Sequence, residues 1–192
     1  MEICFATNND NKLQEIRELL PDFHILSLKD IGHSGDLPED QNTLEGNSHQ
    51  KAEYVFKNYN VDCFSDDTGL EVFALDGEPG VYSARYAGVH HDSEANMRLL
   101  LDKMADIGDR SAQFRTVITL ILDGKVKQFE GVVKGTILKS KAGEKGFGYD
   151  PIFQPKGFDS SFAEMSSEEK NKISHRGEAV KKLVQYLNHL SK

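Results

Sequence analysis

Short apolar runs alternate along this chain with stretches whose apolar residues recur three and four apart, which predicts strands alternating with helices. Glu2 to Ala6 suits a buried strand. The polar run Thr7-Asn8-Asn9-Asp10-Asn11-Lys12 follows, then a helix with Leu13, Ile16, Leu19 and Leu20 on one face, ended at Pro21. His24 to Leu28 reads as a second strand, and residues 29–42 as a polar loop punctuated by Gly32, Gly35 and Pro38. A helix is expected from Asn42 or Thr43 to near Asn58. Val61, Cys63 and Phe64 then form a short strand that should end in Ser65-Asp66-Asp67-Thr68-Gly69, with Leu70 to Leu75 strand-like beyond it. Asp76-Gly77-Glu78-Pro79-Gly80 is a tight loop, and Ser93 is expected to cap a helix bearing Leu99, Leu100 and Met104. Ala112 to Leu122 and Val126 to Leu138 read as a hairpin closed by Asp123-Gly124. Ser166-Ser167-Glu168-Glu169 fits a capping box, and Val180, Leu183, Val184 and Leu187 mark the face of a last helix. We expect a single domain over residues 1–192.

Composition narrows the class. Apolar residues make up 38% and charged residues 28%, the profile of a globular chain, so a substantial core is available. A net charge of -8 argues against broad nucleic-acid binding. No apolar run approaches the roughly 20 residues of a membrane span, and Met1-Glu2-Ile3-Cys4 lacks the basic start of a signal peptide, so a cytoplasmic protein is expected. Cys4 and Cys63, both in apolar runs, read as reduced core residues.

Six stretches carry candidate chemistry. A strand, the polar run Thr7 to Lys12 and a helix N-terminus form the geometry of an anion site, where free N–H groups and an ammonium meet phosphate. Glycines are too few there for a Walker loop. Asp66 and Asp67 are adjacent, so an extended chain would point them opposite ways, one into a site and one in support. Glu39 and Asp40 precede a helix start, which favours acids, and Glu39 is a candidate ligand for a divalent cation. Arg85 sits among the aromatics of Val81 to Gly88, placed to contact phosphate or base, whereas the adjacent His90 and His91 read as surface residues. In Gly146-Phe147-Gly148-Tyr149-Asp150, glycines flank an aromatic ring that offers a stacking face. His175 and Arg176 lie at a helix start, where positive charge opposes the helix dipole; such a conflict points to function.

Taken together, the blocks Ala6-Thr7-Asn8-Asn9…Lys12, Ser65-Asp66-Asp67-Thr68-Gly69-Leu70, Pro79 to Tyr86, Gly146 to Phe153 and Ser174-His175-Arg176-Gly177 resemble, in order, those of the inosine triphosphate pyrophosphatase family. Asn8 replaces the usual glycine, Thr68 the usual serine, and Pro38-Glu39-Asp40 a usual pair of glutamates. The resemblance implies an elongated, two-lobed α/β fold around a long mixed sheet, with the active site in a cleft between the lobes. It also implies magnesium-dependent hydrolysis of ITP, dITP and XTP to monophosphate and pyrophosphate, by a homodimer. On that reading Asp67 is catalytic and, with Glu39, holds magnesium. Thr7, Asn8, Asn9, Asp10, Asn11 and Lys12 bind the triphosphate, and Asp66 and Thr68 support Asp67 and contact the substrate. Phe147 stacks on the base, Asp150, His175 and Arg176 read its edge, and Gly148, Tyr149 and Lys170 complete the substrate-binding set.

Other classes compete. Asp67-Thr68-Gly69 matches the aspartic protease triplet, but that chemistry needs two such carboxylates, uses no lysines, and would show an acidic optimum on peptides. A non-catalytic nucleotide-binding module would have no use for paired carboxylates. A related pyrophosphatase acting on modified pyrimidine nucleotides differs only in a substrate panel.

Overall fold

A computed structural model of the chain describes residues 2–89 and 92–190. The elements are β1 (Glu2–Phe5), α1 (Asp10–Leu19), β2 (His24–Leu26), α2 (Leu44–Tyr59), β3 (Cys63–Val72), α3 (Ser93–Lys103), β4 (Ser111–Leu122), β5 (Lys125–Ile137), β6 (Phe153–Pro155), α4 (Ser167–Ile173) and α5 (His175–Leu190), with three short 3-10 turns. One six-stranded mixed sheet has the order β2-β1-β3-β4-β5-β6. β1 pairs in parallel with β2 and β3, and β5 antiparallel with β6. The mixed α/β class expected from the sequence is thus present.

Two compact units divide the chain. The first holds residues up to Asp67, Thr116–Gly131 and the chain from Arg176 onward; the second holds Thr68–Arg115 and Val132–His175.

In the first unit, β1 is apolar at every position after Glu2 because both of its faces are covered. Ile3 and Phe5 join Ile16, Leu20, Phe64, Leu183 and Leu187 in one cluster, so this face packs on α1 and α5. Cys4 and Ala6 point the other way, joining Ala52, Val55 and Cys63 against α2. Register sets Phe5 opposite Phe64, and their rings stack at 4.7 Å. The second unit buries Leu70, Val72, Met97, Leu100, Phe114, Ile152, Phe153 and Phe162 in its own core.

Three expectations change in detail. The acidic stretch is not a strand end: Cys63 to Val72 is one continuous strand that carries both aspartates in its interior. Gly69 permits this beside a neighbouring turn, since a Cβ there would lie 2.6 Å from the Gly80 carbonyl oxygen. Asp92, not Ser93, caps α3, its side chain accepting from Ala95 N. The 76–80 loop leads into a 3-10 turn, Gly80–Arg85, that the sequence did not predict. The expected hairpin and the Ser166–Glu169 capping box are both present. His90 and His91 lie outside the described residues. Among the described residues, no helix is long and apolar enough to cross a membrane.

Candidate active site

Strand alternation decides where each aspartate goes. Phe64 faces α1 and α5, so Asp66, two residues on, faces them too; Cys63 and Ser65 face α2, and so does Asp67.

On the first face, Lys12 Nζ donates to Asp66 Oδ1 at 3.0 Å. Arg176 donates to Asp66 Oδ2 from Nε at 3.3 Å and from Nη2 at 3.1 Å, and its Nη1 pairs with Glu15. Burial alone would raise the Asp66 carboxyl, but Lys12, Arg176 and Lys51 hold it well below the usual carboxylate range. Burial likewise works against the charge on Arg176, while Glu15 and Asp66 over-compensate and raise its pKa. The positive charge at the start of α5 is therefore matched by two carboxylates, which answers its conflict with the helix dipole.

On the opposite face, two residues one turn apart on α2 reach Asp67. Asn47 Nδ2 donates to Asp67 Oδ2 at 3.0 Å, and Lys51 Nζ lies 3.7 Å from Asp67 Oδ1. Lys51 also pairs with Glu39. Burial pushes Asp67 above the usual carboxylate range, against the pull of Lys51 and Lys12. Burial opposes the charges on Glu39 and Lys51 too, yet Lys51 lowers the Glu39 pKa, while Asp67 and then Glu39 raise that of Lys51. Asp66 is thus a fixed counter-ion and Asp67 a more basic carboxylate.

The polar run after β1 folds into a turn that starts α1. Thr7 Oγ1 accepts from Asn9 N at 3.1 Å, and Asn9 caps the helix by accepting from Lys12 N at 3.1 Å. Asn8 donates from Nδ2 to Gly35 O at 2.8 Å and accepts at Oδ1 from Leu37 N at 3.2 Å, fastening this turn to the loop that carries Glu39. Asp10 and Asn11 begin the helix with exposed side chains.

The second unit gathers the downstream candidates. Asp150 Oδ2 accepts from Lys170 Nζ at 2.8 Å and from Phe147 N at 2.9 Å. The Lys170 ammonium lies 4.8 Å from the centroid of the half-buried Phe147 ring. Gly146, at φ +73, makes this turn possible, since a Cβ there would strike Asp150 Oδ2. His175 stacks on Phe114 with centroids 4.6 Å apart. Tyr149 is buried and donates to Ser83 O at 2.9 Å, and burial pushes its hydroxyl well above the ordinary tyrosine range. Gly148 lies between Phe147 and Tyr149, and Thr68 is half-buried on β3. Arg85 stands over the Tyr82 ring at 5.4 Å.

Sequence reading missed Lys51, Asn47 and Glu15. Lys51 and Asn47 sit four apart on a predicted helix that follows an acidic loop, and a lysine on the buried face of a helix was the available signal.

Among the described residues, no group of three or more His, Cys, Asp or Glu side chains is arranged to hold a metal ion. Asp67 and Glu39 nevertheless converge on one ammonium, so two hard oxygen donors already face a single cation. That set suits Mg²⁺, which takes one or two carboxylates and completes its shell with water and phosphate oxygens.

A mixed α/β sheet with lysine-flanked carboxylates beside a helix N-terminus defines a phosphate-handling class of protein. The chain belongs to the Ham1 family, whose model matches residues 3–186. A dITP/XTP pyrophosphatase of Flavobacterium johnsoniae is 54% identical over 97% of this chain and 98% of its own. One of Porphyromonas gingivalis is 51% identical over 97% of each. The solved Ham1 protein of Staphylococcus aureus superposes with a TM-score of 0.89 at 43% identity, covering 98% of this chain and 99% of its own. That of Coxiella burnetii gives 0.90 at 35%, with the same coverage.

Proposed function

We propose that this protein hydrolyses non-standard purine nucleoside triphosphates, ITP, dITP and XTP, to the monophosphate and pyrophosphate. The observation that carries this reading is the pairing of Asp67 and Glu39 on Lys51, beside a helix start that bears Lys12. The names of the curated relatives agree with it.

In this mechanism Thr7 to Lys12 receive the triphosphate through backbone N–H groups, a hydroxyl and an ammonium. Asp67 and Glu39 would hold Mg²⁺, which when bound supplies charge neutralisation at the phosphate oxygens and acidifies water. Asp67 orients the attacking water and accepts its proton; the water oxygen bonds to the α-phosphorus as the bond to the β-phosphate oxygen breaks. Lys51 holds Asp67 and Glu39 facing the same point, and Asp66 fixes Lys12.

For the base, the second unit offers Phe147 to stack, with Asp150 and Lys170 beside it and His175 as a further polar group. Hypoxanthine and xanthine present a carbonyl acceptor at C6 where adenine presents an amino donor. Cationic donors cannot accept from that amino group, and each unpaired buried polar group costs about 1–3 kcal/mol, or roughly five- to a hundred-and-fiftyfold. We further propose a cytoplasmic location and a homodimer, the latter tested by light scattering on the purified protein.

The decisive assay compares pyrophosphate release from ITP, dITP, XTP, GTP and ATP with magnesium. The inosine and xanthosine nucleotides are expected to lead; a preference for ATP overturns this reading.

A further inference from the structure

Glu39 lies on a strap whose two ends are fastened by side-chain amides. Asn8 holds Gly35 and Leu37 on one side of it. On the other, Gln41 N donates to Asn47 Oδ1 at 2.9 Å. The same Asn47 side chain donates to Asp67 Oδ2 at 3.0 Å, and the residue is 1% exposed.

Its two partners fix the orientation of this amide. A carboxylate only accepts and a backbone N–H only donates, so Nδ2 must face Asp67 and Oδ1 must face Gln41. One buried group therefore links Asp67 to the strap that carries Glu39, the other carboxylate paired with Lys51. It occupies Asp67 Oδ2, which leaves Oδ1 toward Lys51, and it anchors the strap two residues past Glu39.

We propose that Asn47 is a positioning residue that sets the spacing of Asp67 and Glu39, and with it the capture of the divalent cation. This rests on the functional reading above. Losing the amide frees Asp67 to rotate and the strap to move, so the two oxygen donors no longer share a point. Substrate binding through Thr7 to Lys12 does not use this contact.

Two variants separate its arms. Asn47→Ala removes both bonds. Asn47→Asp is isosteric and keeps the acceptor for Gln41 N but sets a carboxylate against Asp67. Hydrogen exchange on metal-free protein should show the Gln41 amide at least about tenfold less protected in Asn47→Ala and unchanged in Asn47→Asp. In turnover of ITP, Asn47→Ala should raise the magnesium concentration for half-maximal rate at least about tenfold while leaving KM for ITP within about twofold. Asn47→Asp should lose at least about tenfold in kcat. Unchanged magnesium dependence with unchanged Gln41 protection in Asn47→Ala overturns the proposal, as does wild-type turnover by Asn47→Asp. If the wild-type protein leaves ITP intact, the functional reading fails, while the exchange measurement still decides whether Asn47 positions the strap.

Discussion

Arg176 grips Asp66 across 110 residues of chain, with Nε and Nη2 at 3.3 and 3.1 Å from the same carboxylate oxygen. Lys12 holds the other oxygen at 3.0 Å. Asp66 is therefore spent on two cations before any substrate arrives, which supports our proposal that its neighbour Asp67 does the chemistry.

Substitution should separate the two. Asp66→Asn strands two buried or half-buried cations and should cost about 3–5 kcal/mol, read by urea unfolding. The pH dependence has a definite sign. The folded Asp66 pKa lies below its ordinary value of 3.8, so its contribution is complete above that value and fades as pH falls through the folded one. Asp66→Asn should flatten the acid limb of the stability curve. Asp67→Asn, by contrast, should fold normally and lose at least about a hundredfold in turnover. Equal effects of the two substitutions on stability would refute the division of labour.

Lys51 stands where Asp67 and Glu39 converge. Lys51→Met removes the ammonium that pairs with both, leaving two carboxylates facing each other, and should cost about 3 kcal/mol in metal-free protein. Magnesium should then raise the melting temperature more in the variant than in wild type, because it restores the missing charge. A smaller rise in the variant would show that the cation does not go there.

Gly146→Ala places a methyl against Asp150 Oδ2 at a backbone angle that favours glycine. The Asp150–Lys170 pair and the Phe147 turn should loosen together. We expect KM for ITP to rise roughly five- to a hundredfold, the equivalent of about 1–3 kcal/mol, with a smaller change in kcat. A fall in kcat alone would place this turn in the chemistry.

Burial pushes both Cys4 and Cys63 from 9.0 up to about 12. Native protein should therefore resist alkylation at mildly alkaline pH, while unfolded protein reacts at both thiols. A raised pKa here means stability that is complete below about 9 and lost as pH climbs toward about 12. Rapid native alkylation would contradict the buried placement.

Much of this was legible in the residues. Apolar periodicity located the helices and the hairpin because each buries one face or two. The strand through Asp66 and Asp67 was harder: acids, Thr and Gly read as a turn, yet Lys12, Arg176, Lys51 and Asn47 meet those charges and let the strand run through. Those partners are distant in sequence, so no local rule reveals them. The opposite facing of the two aspartates follows from strand alternation alone, but which one meets the buried guanidinium depends on α1 and α5 packing beneath Phe64. Lys51 and Asn47 were missed for the same reason: their meaning appears only once α2 lies on that face of β3.

In the proposed reaction water attacks the α-phosphorus of a non-standard purine triphosphate. Turnover of ITP in water labelled with heavy oxygen, with magnesium, shows which phosphorus is attacked. One pyrophosphate per ITP consumed is expected, with the label in the inosine monophosphate. Orthophosphate as the first product, or label in pyrophosphate, would contradict it.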